Sequence, residues 1–271
     1  MPGIEEFVNK IHEGNCANIL KNIPSESIDL ILTDPPYLSN YKSNLRKSPE
    51  KADNLLTPVS DETKAQLEKE HDFKSEIKGD GYEDRDVIRE FLDESLRVMK
   101  PDTAIYAFCN SVHVEFFKTE MDARFNVKNI IVWVKNGFSA GDLEGAFGRK
   151  HEFIIMANKG RAKFRGERIG DVWEFDRVTS NNQLHQNQKP VELLSLAIRK
   201  HSDYGGIILD PFAGSGSTLV AAKMLGRRYI GIEFESKYCE IAERRLSLVA
   251  QQPDIFEFEP PPPRGTQQEL F

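Results

Sequence analysis

The chain of 271 residues is poor in cysteine and has no long apolar run. Its three cysteines, Cys16, Cys109 and Cys239, form no CxxC pair. That excludes a zinc ribbon or a disulfide scaffold and fits a reduced, cytoplasmic setting. No stretch approaches the roughly 18 apolar residues of a membrane span. The opening segment MPGIEEFVNK has no apolar signal core, so no secretion is expected. Positive charge is not in excess either: 36 Lys and Arg stand against 43 Asp and Glu, a net charge of −7. This balance argues against coating nucleic acid by charge alone and leaves room for a local basic face. His113, His151 and His201 show no metal-ligand spacing, so no metal is expected.

Strand and helix patterns alternate along most of the chain, as in an α/β sheet. Strands are expected at 27–33, 103–108, 129–134, 152–157, 207–210 and 228–233. Helices are expected at 84–100, at VHVEFFKTEMDAR, from Pro190 to about His201, after the glycine-rich turn up to Gly226, and over 236–249. Three stretches depart from this pattern. Residues 38–82 carry 8 Lys/Arg and 9 Asp/Glu and read as a lid following the turn at Asp34. Residues 135–168 hold 8 Lys/Arg against 4 Asp/Glu. With 169–184 they are the expected DNA reader, offering Lys135, Arg149, Lys150, Arg161, Lys163 and Arg165 to phosphates or guanine edges. Residues 251–271 form a Pro-rich tail after a catalytic domain spanning 1–250.

Two turns carry chemistry. IILDPFAGSGST places Gly214 and Gly216 between a strand and a helix, where glycine admits positive φ and close approach of a ligand to the backbone. No Lys follows the glycines, so this is not a triphosphate loop. Glu233 ends the next strand, the place where doubly wound folds bind ribose hydroxyls. The second turn, Asp34-Pro35-Pro36-Tyr37, ends the strand SIDLILT. Its prolines fix the chain and remove two N–H donors. What remains is a carboxylate, aimed carbonyls and an aromatic ring. That set suits methylation of an exocyclic amine. Asp34 and the Pro35 carbonyl accept the two amino hydrogens, and Tyr37 stacks on a base swung out of the duplex.

With these motifs in this order, the sequence resembles the beta class of S-adenosylmethionine-dependent DNA amino-methyltransferases. In that class the DPPY turn precedes FxGxG, here Phe212-Ala213-Gly214-Ser215-Gly216, a circular permutation of the common methyltransferase order. The resemblance implies a Rossmann-like fold: a mostly parallel sheet with helices on both faces. It also implies a cofactor site of Asp210, Phe212, Gly214, Gly216 and Glu233. His185-Gln186-Asn187-Gln188-Lys189-Pro190 matches the family's HxxQKP segment, so Lys189 and Pro190 would open the helix over the methionine end of the cofactor. Gly14-Asn15-Cys16 stands where the family commonly has Gly-Asp-Cys against the cofactor adenine. An initial Asp in the tetrapeptide is associated in the family mainly with adenine N6, and Ser with cytosine N4. Cytosine-N4 methylation and a catalytically silent DNA-binding protein remain the alternatives. Cytosine-C5 chemistry is rejected, because it needs a nucleophilic Cys, typically after Pro, and none of the three follows one. The family often forms homodimers. The segment Gln267-Gln268-Glu269-Leu270-Phe271 is similar to the short peptide by which bacterial replication and repair proteins dock on the sliding clamp.

Overall fold

The computed structural model describes residues 2–36, 85–138, 144–178 and 188–249. Tyr37, the 38–82 insert, His185, Gln186, Asn187 and the 251–271 tail with Gln267–Phe271 lie outside them. The described strands are β1 (Lys10–Glu13), β2 (Ile28–Thr33), β3 (Met99–Cys109), β4 (Asn126–Val134), β5 (His151–Lys159), β6 (Val172–Glu174), β7 (Ile207–Asp210) and β8 (Arg228–Glu233). They form one sheet in the order β1-β8-β7-β2-β3-β5-β4-β6. Every neighbouring pair is parallel except the two that β5 makes with β3 and β4. Helices α1 (Cys16–Leu20), α2 (Arg85–Val98), α3 (Val114–Asp122), α4 (Val191–His201), α5 (Ser217–Met224) and α6 (Ser236–Val249) cover it.

Alternation along the strands sorts the core into two layers. Ile31, Ile105 and Leu209 face α1, α2 and α3, which bury Leu20, Phe91 and Phe117. Leu30, Tyr106 and Ile208 face α4, α5 and α6, which bury Leu194, Leu219 and Leu246. Phe91 and Phe117 are completely buried, each worth roughly 1.5–3 kcal/mol of hydrophobic stabilisation. Trp133 and Trp173 belong to the second layer, and their indole N–H groups donate to the carbonyls of Phe175 and Gly170. His201 is buried beside them and shares a 2.5 Å hydrogen bond with the Tyr106 hydroxyl.

The six expected strands and five expected helices are present. Helix α2 stops at Val98, two residues early, because Met99 is needed as the buried partner of Ile28 in the β2–β3 ladder. The chain then bulges outward at Lys100–Asp102, with Asp102 at φ +60°, before the ladder resumes at Ala104. From β2 the sheet grows toward β3, and from β7 toward β8, so β2 and β7 flank the switch in chain direction. Open α/β sheets bind ligands in the crevice at the carboxyl ends of such strands. Asp34 and Asp210 lie there, at the ends of β2 and β7.

Candidate active site

The glycine-rich turn joins β7 to α5. Gly214 has φ +51° and Gly216 φ +79°, both in the left-handed region that favours glycine. The Gly214 N–H donates to Glu233 Oε2 at 2.8 Å, and the Glu235 N–H donates to Oε1 at 2.8 Å. Two backbone amides thus aim the Glu233 carboxylate along the cavity wall. Burial raises its pKa, and the amides work against that rise. At Gly216 packing also demands glycine. A Cβ there would sit 2.6 Å from Ala242 Cβ, so close packing of α6, together with the positive φ, requires glycine. Gly216 does not line the cavity, whereas Gly214 does.

Arg245 of α6, which sequence patterning did not single out, reaches beneath the same turn. It donates to Ser215 O at 2.6 Å and to the hydroxyls of Ser215 and Ser217 at 3.1 Å each. Burial pulls its guanidinium down to about 10. The apolar spacing of α6 gives no hint of this contact.

The second turn follows β2. The Thr33 hydroxyl donates to Asp210 Oδ1 at 2.7 Å, and the Phe212 N–H donates to the same oxygen at 3.1 Å. Burial pushes the Asp210 carboxyl up to about 6 against these hydrogen bonds and one from Thr218. Asp34, Pro35 and Pro36 line the cavity beyond Thr33. The Lys189 ammonium donates to Asp34 Oδ2 and lies 3.5 Å from Glu152 Oε2, while Glu152 Oε1 accepts from Lys135. Lys189 is therefore tied to the Asp34 turn as well as to the opening of α4. Pro190 serves as the N-cap of α4 and does not line the cavity. Asn15 caps α1 by accepting from the Asn18 N–H at 3.3 Å, and it lines the cavity together with Cys16. Burial pushes the Cys16 thiol up to about 12, so it stays protonated.

The cavity holds about 410 Å³. Asp34, Asp210, Glu233 and Glu235 put four carboxyl groups into its wall, against one described cation, Lys189. Phe108, Phe212, Phe234 and Tyr238 supply aromatic surface. An acidic, aromatic cavity suits a cationic ligand bearing a planar base.

The six basic candidates divide between opposite edges of the sheet. Lys135 follows β4 and Arg149 and Lys150 precede β5, so all three lie at the edge that carries Asp34, and the Lys135 N–H donates to Lys150 O at 2.8 Å. Arg149 and Lys150 are exposed there. Arg161, Lys163 and Arg165 follow the far end of β5, at the opposite edge. The Arg161 N–H donates to Asp102 Oδ1 at 2.7 Å, and Arg165 pairs with Asp203 at 2.7 Å. The nine residues of β5 split one basic segment in sequence into two separated groups in space, and because β5 runs against its neighbours the first group lies on the Asp34 side. Arg177, in the 169–184 stretch, lies beside Gly137 and Asn136 at the Asp34 edge.

A mostly parallel sheet of this order, with a glycine turn and an acidic strand end, defines a Rossmann-like methyltransferase fold. Comparison with known proteins agrees. The DNA methylase family (N6_N4_Mtase) matches residues 28–244, and the chain belongs to that family. It is 30% identical to the Type II methyltransferase M.HinfI of Haemophilus influenzae over 277 residues, covering 94% of this chain and 72% of that protein. The crystal structure of an M1.HpyAVI-SAM complex superposes with a TM-score of 0.60 at 23% identity, covering 88% of this chain and 98% of that one. The PvuII DNA methyltransferase, described as cytosine-N4-specific, superposes with a TM-score of 0.65 at 16% identity, covering 89% and 90%.

Proposed function

We propose that this chain methylates the N6 amino group of adenine in DNA, with S-adenosylmethionine as methyl donor. The observation that carries the reading is the Asp34 carboxylate, which lines the acidic cavity next to Thr33, whose hydroxyl bonds Asp210 at the start of the glycine turn. The cavity fits the cofactor. Glu233 is oriented to accept from ribose hydroxyls, Asn15 and Cys16 line the cavity beside it at the end of the neighbouring strand β1, and the carboxyl groups offset a sulfonium charge. When bound, the cofactor supplies an electrophilic methyl group.

Everything else is done by the protein's own groups. The Asp34 carboxylate and the Pro35 carbonyl accept the two hydrogens of the target amine and turn its lone pair out of conjugation with the ring. As the nitrogen becomes positively charged, its proton passes toward the Asp34 carboxylate. Pro36 holds the turn rigid, and Tyr37 stacks on the extruded base. Arg149 and Lys150, exposed at the same edge, contact the phosphates of the duplex. The experiment is a transfer assay with labelled cofactor and duplex DNA: incorporated label supports the reading, and its absence overturns it.

Cytosine N4 is the second reading, because an exocyclic cytosine amine presents the same two hydrogens and the PvuII enzyme shares the fold. The Asp at the head of the tetrapeptide favours adenine. We further propose that Gln267–Phe271 docks on a bacterial sliding clamp, Leu270 and Phe271 filling an apolar pocket and Gln267 bonding at its rim. Anisotropy titration of a labelled 253–271 peptide with clamp tests this. Loss of binding when Leu270 and Phe271 become Ala supports it, and no saturable binding at tens of micromolar clamp overturns it.

A further inference from the structure

The Asp34 carboxylate heads a line of four charges that alternate in sign: Asp34, Lys189, Glu152, Lys135. Their side chains are largely buried, with 7% exposure at Lys189 and about 20% at Asp34, Glu152 and Lys135. Aromatic rings flank both cations. Lys189 Nζ is 5.0 Å from the centre of Phe108, and Lys135 Nζ is 4.8 Å from the centre of Trp133. Glu152 reaches the group because β5 is antiparallel. Its first residues pair with the last residues of β4, at the edge where β2 ends.

This arrangement creates a conflict for the methyl-transfer reading. An ammonium offers three donors and no acceptor, and the base amine that Asp34 must hold likewise presents only donors to it, its two N–H groups. Lys189 holds Oδ2 of Asp34, and its charge weakens the whole carboxylate as an acceptor for the amine and its proton, so the ammonium and the amine compete for Asp34. An ammonium in a site this dry is not released without another anion to receive it. Glu152 Oε2 stands 3.5 Å from Lys189 Nζ and already pairs with the ammonium.

We propose that Glu152 is a positioning residue that takes the Lys189 ammonium from Asp34 when a target amine arrives. The proposal rests on the methyl-transfer reading. Lys135 completes the device by keeping Glu152 ionised and aimed. Burial acts to raise the Glu152 carboxyl, and the two ammonium groups outweigh it and hold it below the usual carboxylate range. Lys189 is held protonated in the same way: burial acts against its charge, and Asp34 and Glu152 outweigh that. The net charge of the four-residue line is thus unchanged by the transfer, while Asp34 is freed of its paired cation. Lys189 moves between two carboxylates, and Asp34 gains a neutral donor in its place.

The test is kinetic. Glu152→Gln removes the receiving charge while keeping the shape. Its kcat falls by about tenfold or more. Its affinity for S-adenosylmethionine, read by calorimetry, stays within about twofold, because Glu152 does not line the cavity. Glu152→Asp recovers part of the loss. The decisive comparison repeats the substitution in a Lys189→Gln background, where no ammonium needs relocating. There Glu152→Gln costs less than about twofold. A Glu152→Gln enzyme with kcat within twofold of the parent overturns the proposal, as does an equal loss in both backgrounds. A parent that transfers no methyl group overturns the underlying reading and the proposal with it. An active parent with additive losses overturns the proposal alone.

Discussion

Thr33 and Asp210 are 177 positions apart in the chain and share a 2.7 Å hydrogen bond in the core. Thr33 immediately precedes Asp34, and Asp210 opens the glycine-rich turn. This contact therefore fixes the carboxylate that would hold a target amine against the turn that would hold a cofactor. β2 and β7 are direct neighbours, so the distance between the two halves of the site is set by the sheet spacing and not by a loop.

The same contact yields a pH prediction. The native chain keeps a proton on Asp210 that the unfolded chain has released between pH values of about 4 and about 6. Native stability therefore falls as pH rises through that window, by roughly 2–3 kcal/mol from this group. Asp210→Asn keeps an acceptor for Thr33 and Phe212 and removes the charge. The variant is expected to lose this part of the slope and to be more stable than the parent at pH 7.5. Urea unfolding of both proteins at pH 4.5 and 7.5 measures it, and identical slopes would contradict the assignment.

Asp34→Ala is expected to lower methyl transfer by at least about a hundredfold, because positioning and charge stabilisation disappear together. Cofactor affinity is expected to survive, since Glu233 and the glycine turn are untouched. Calorimetry alongside the transfer assay separates the two effects. Turnover within tenfold of the parent would remove Asp34 from the mechanism.

At the cofactor end, Glu233→Ala takes the acceptor away from Gly214 N–H and Glu235 N–H as well as from the ligand. S-adenosylmethionine affinity is expected to fall by about tenfold to a hundredfold, the scale of a missing charged hydrogen bond. An unchanged calorimetric Kd would place the ribose elsewhere.

Gly216→Ala is a stability variant more than a binding variant. Positive φ and the contact with Ala242 both oppose it, with an expected loss of about 1–3 kcal/mol. Adding Ala242→Gly relieves the contact and leaves the backbone strain, so the double variant should recover part of the drop in Tm. No recovery would show that the packing of α6 is not the cause.

The two basic groups predict different salt behaviour. Replacing Arg149 and Lys150 by Ala should weaken DNA binding and reduce the log–log salt slope by about two, one for each phosphate no longer neutralised. Replacing Arg161 and Lys163 should leave the slope unchanged, because they lie at the opposite edge of the sheet. The reverse pattern would move the DNA face to that edge.

Most of the sheet was legible in the sequence because strands buried on both faces, such as SIDLILT and IILD, read as unbroken apolar runs between turns. β1, β6 and α1 were not legible. They span 4, 3 and 5 residues, too few to show a period. Both motif turns could be read, since Asp34 and Gly214 carry their chemistry in local sequence. Glu152 and Arg245 as site residues could not, nor could the pairing of Lys135, read as a DNA contact, with Glu152. Their roles come from a strand reversal and from a helix packed under the turn, contacts that no local spacing encodes. The reversal of β5 likewise hid which basic group, Arg149 and Lys150 or Arg161, Lys163 and Arg165, lies on the side of Asp34.

The most direct measurement is to methylate duplex DNA with the purified chain and isotopically labelled S-adenosylmethionine, digest to nucleosides and identify the labelled one by mass spectrometry. The account predicts label in N6-methyladenine. Label in N4-methylcytosine, or none in any nucleoside, would contradict it.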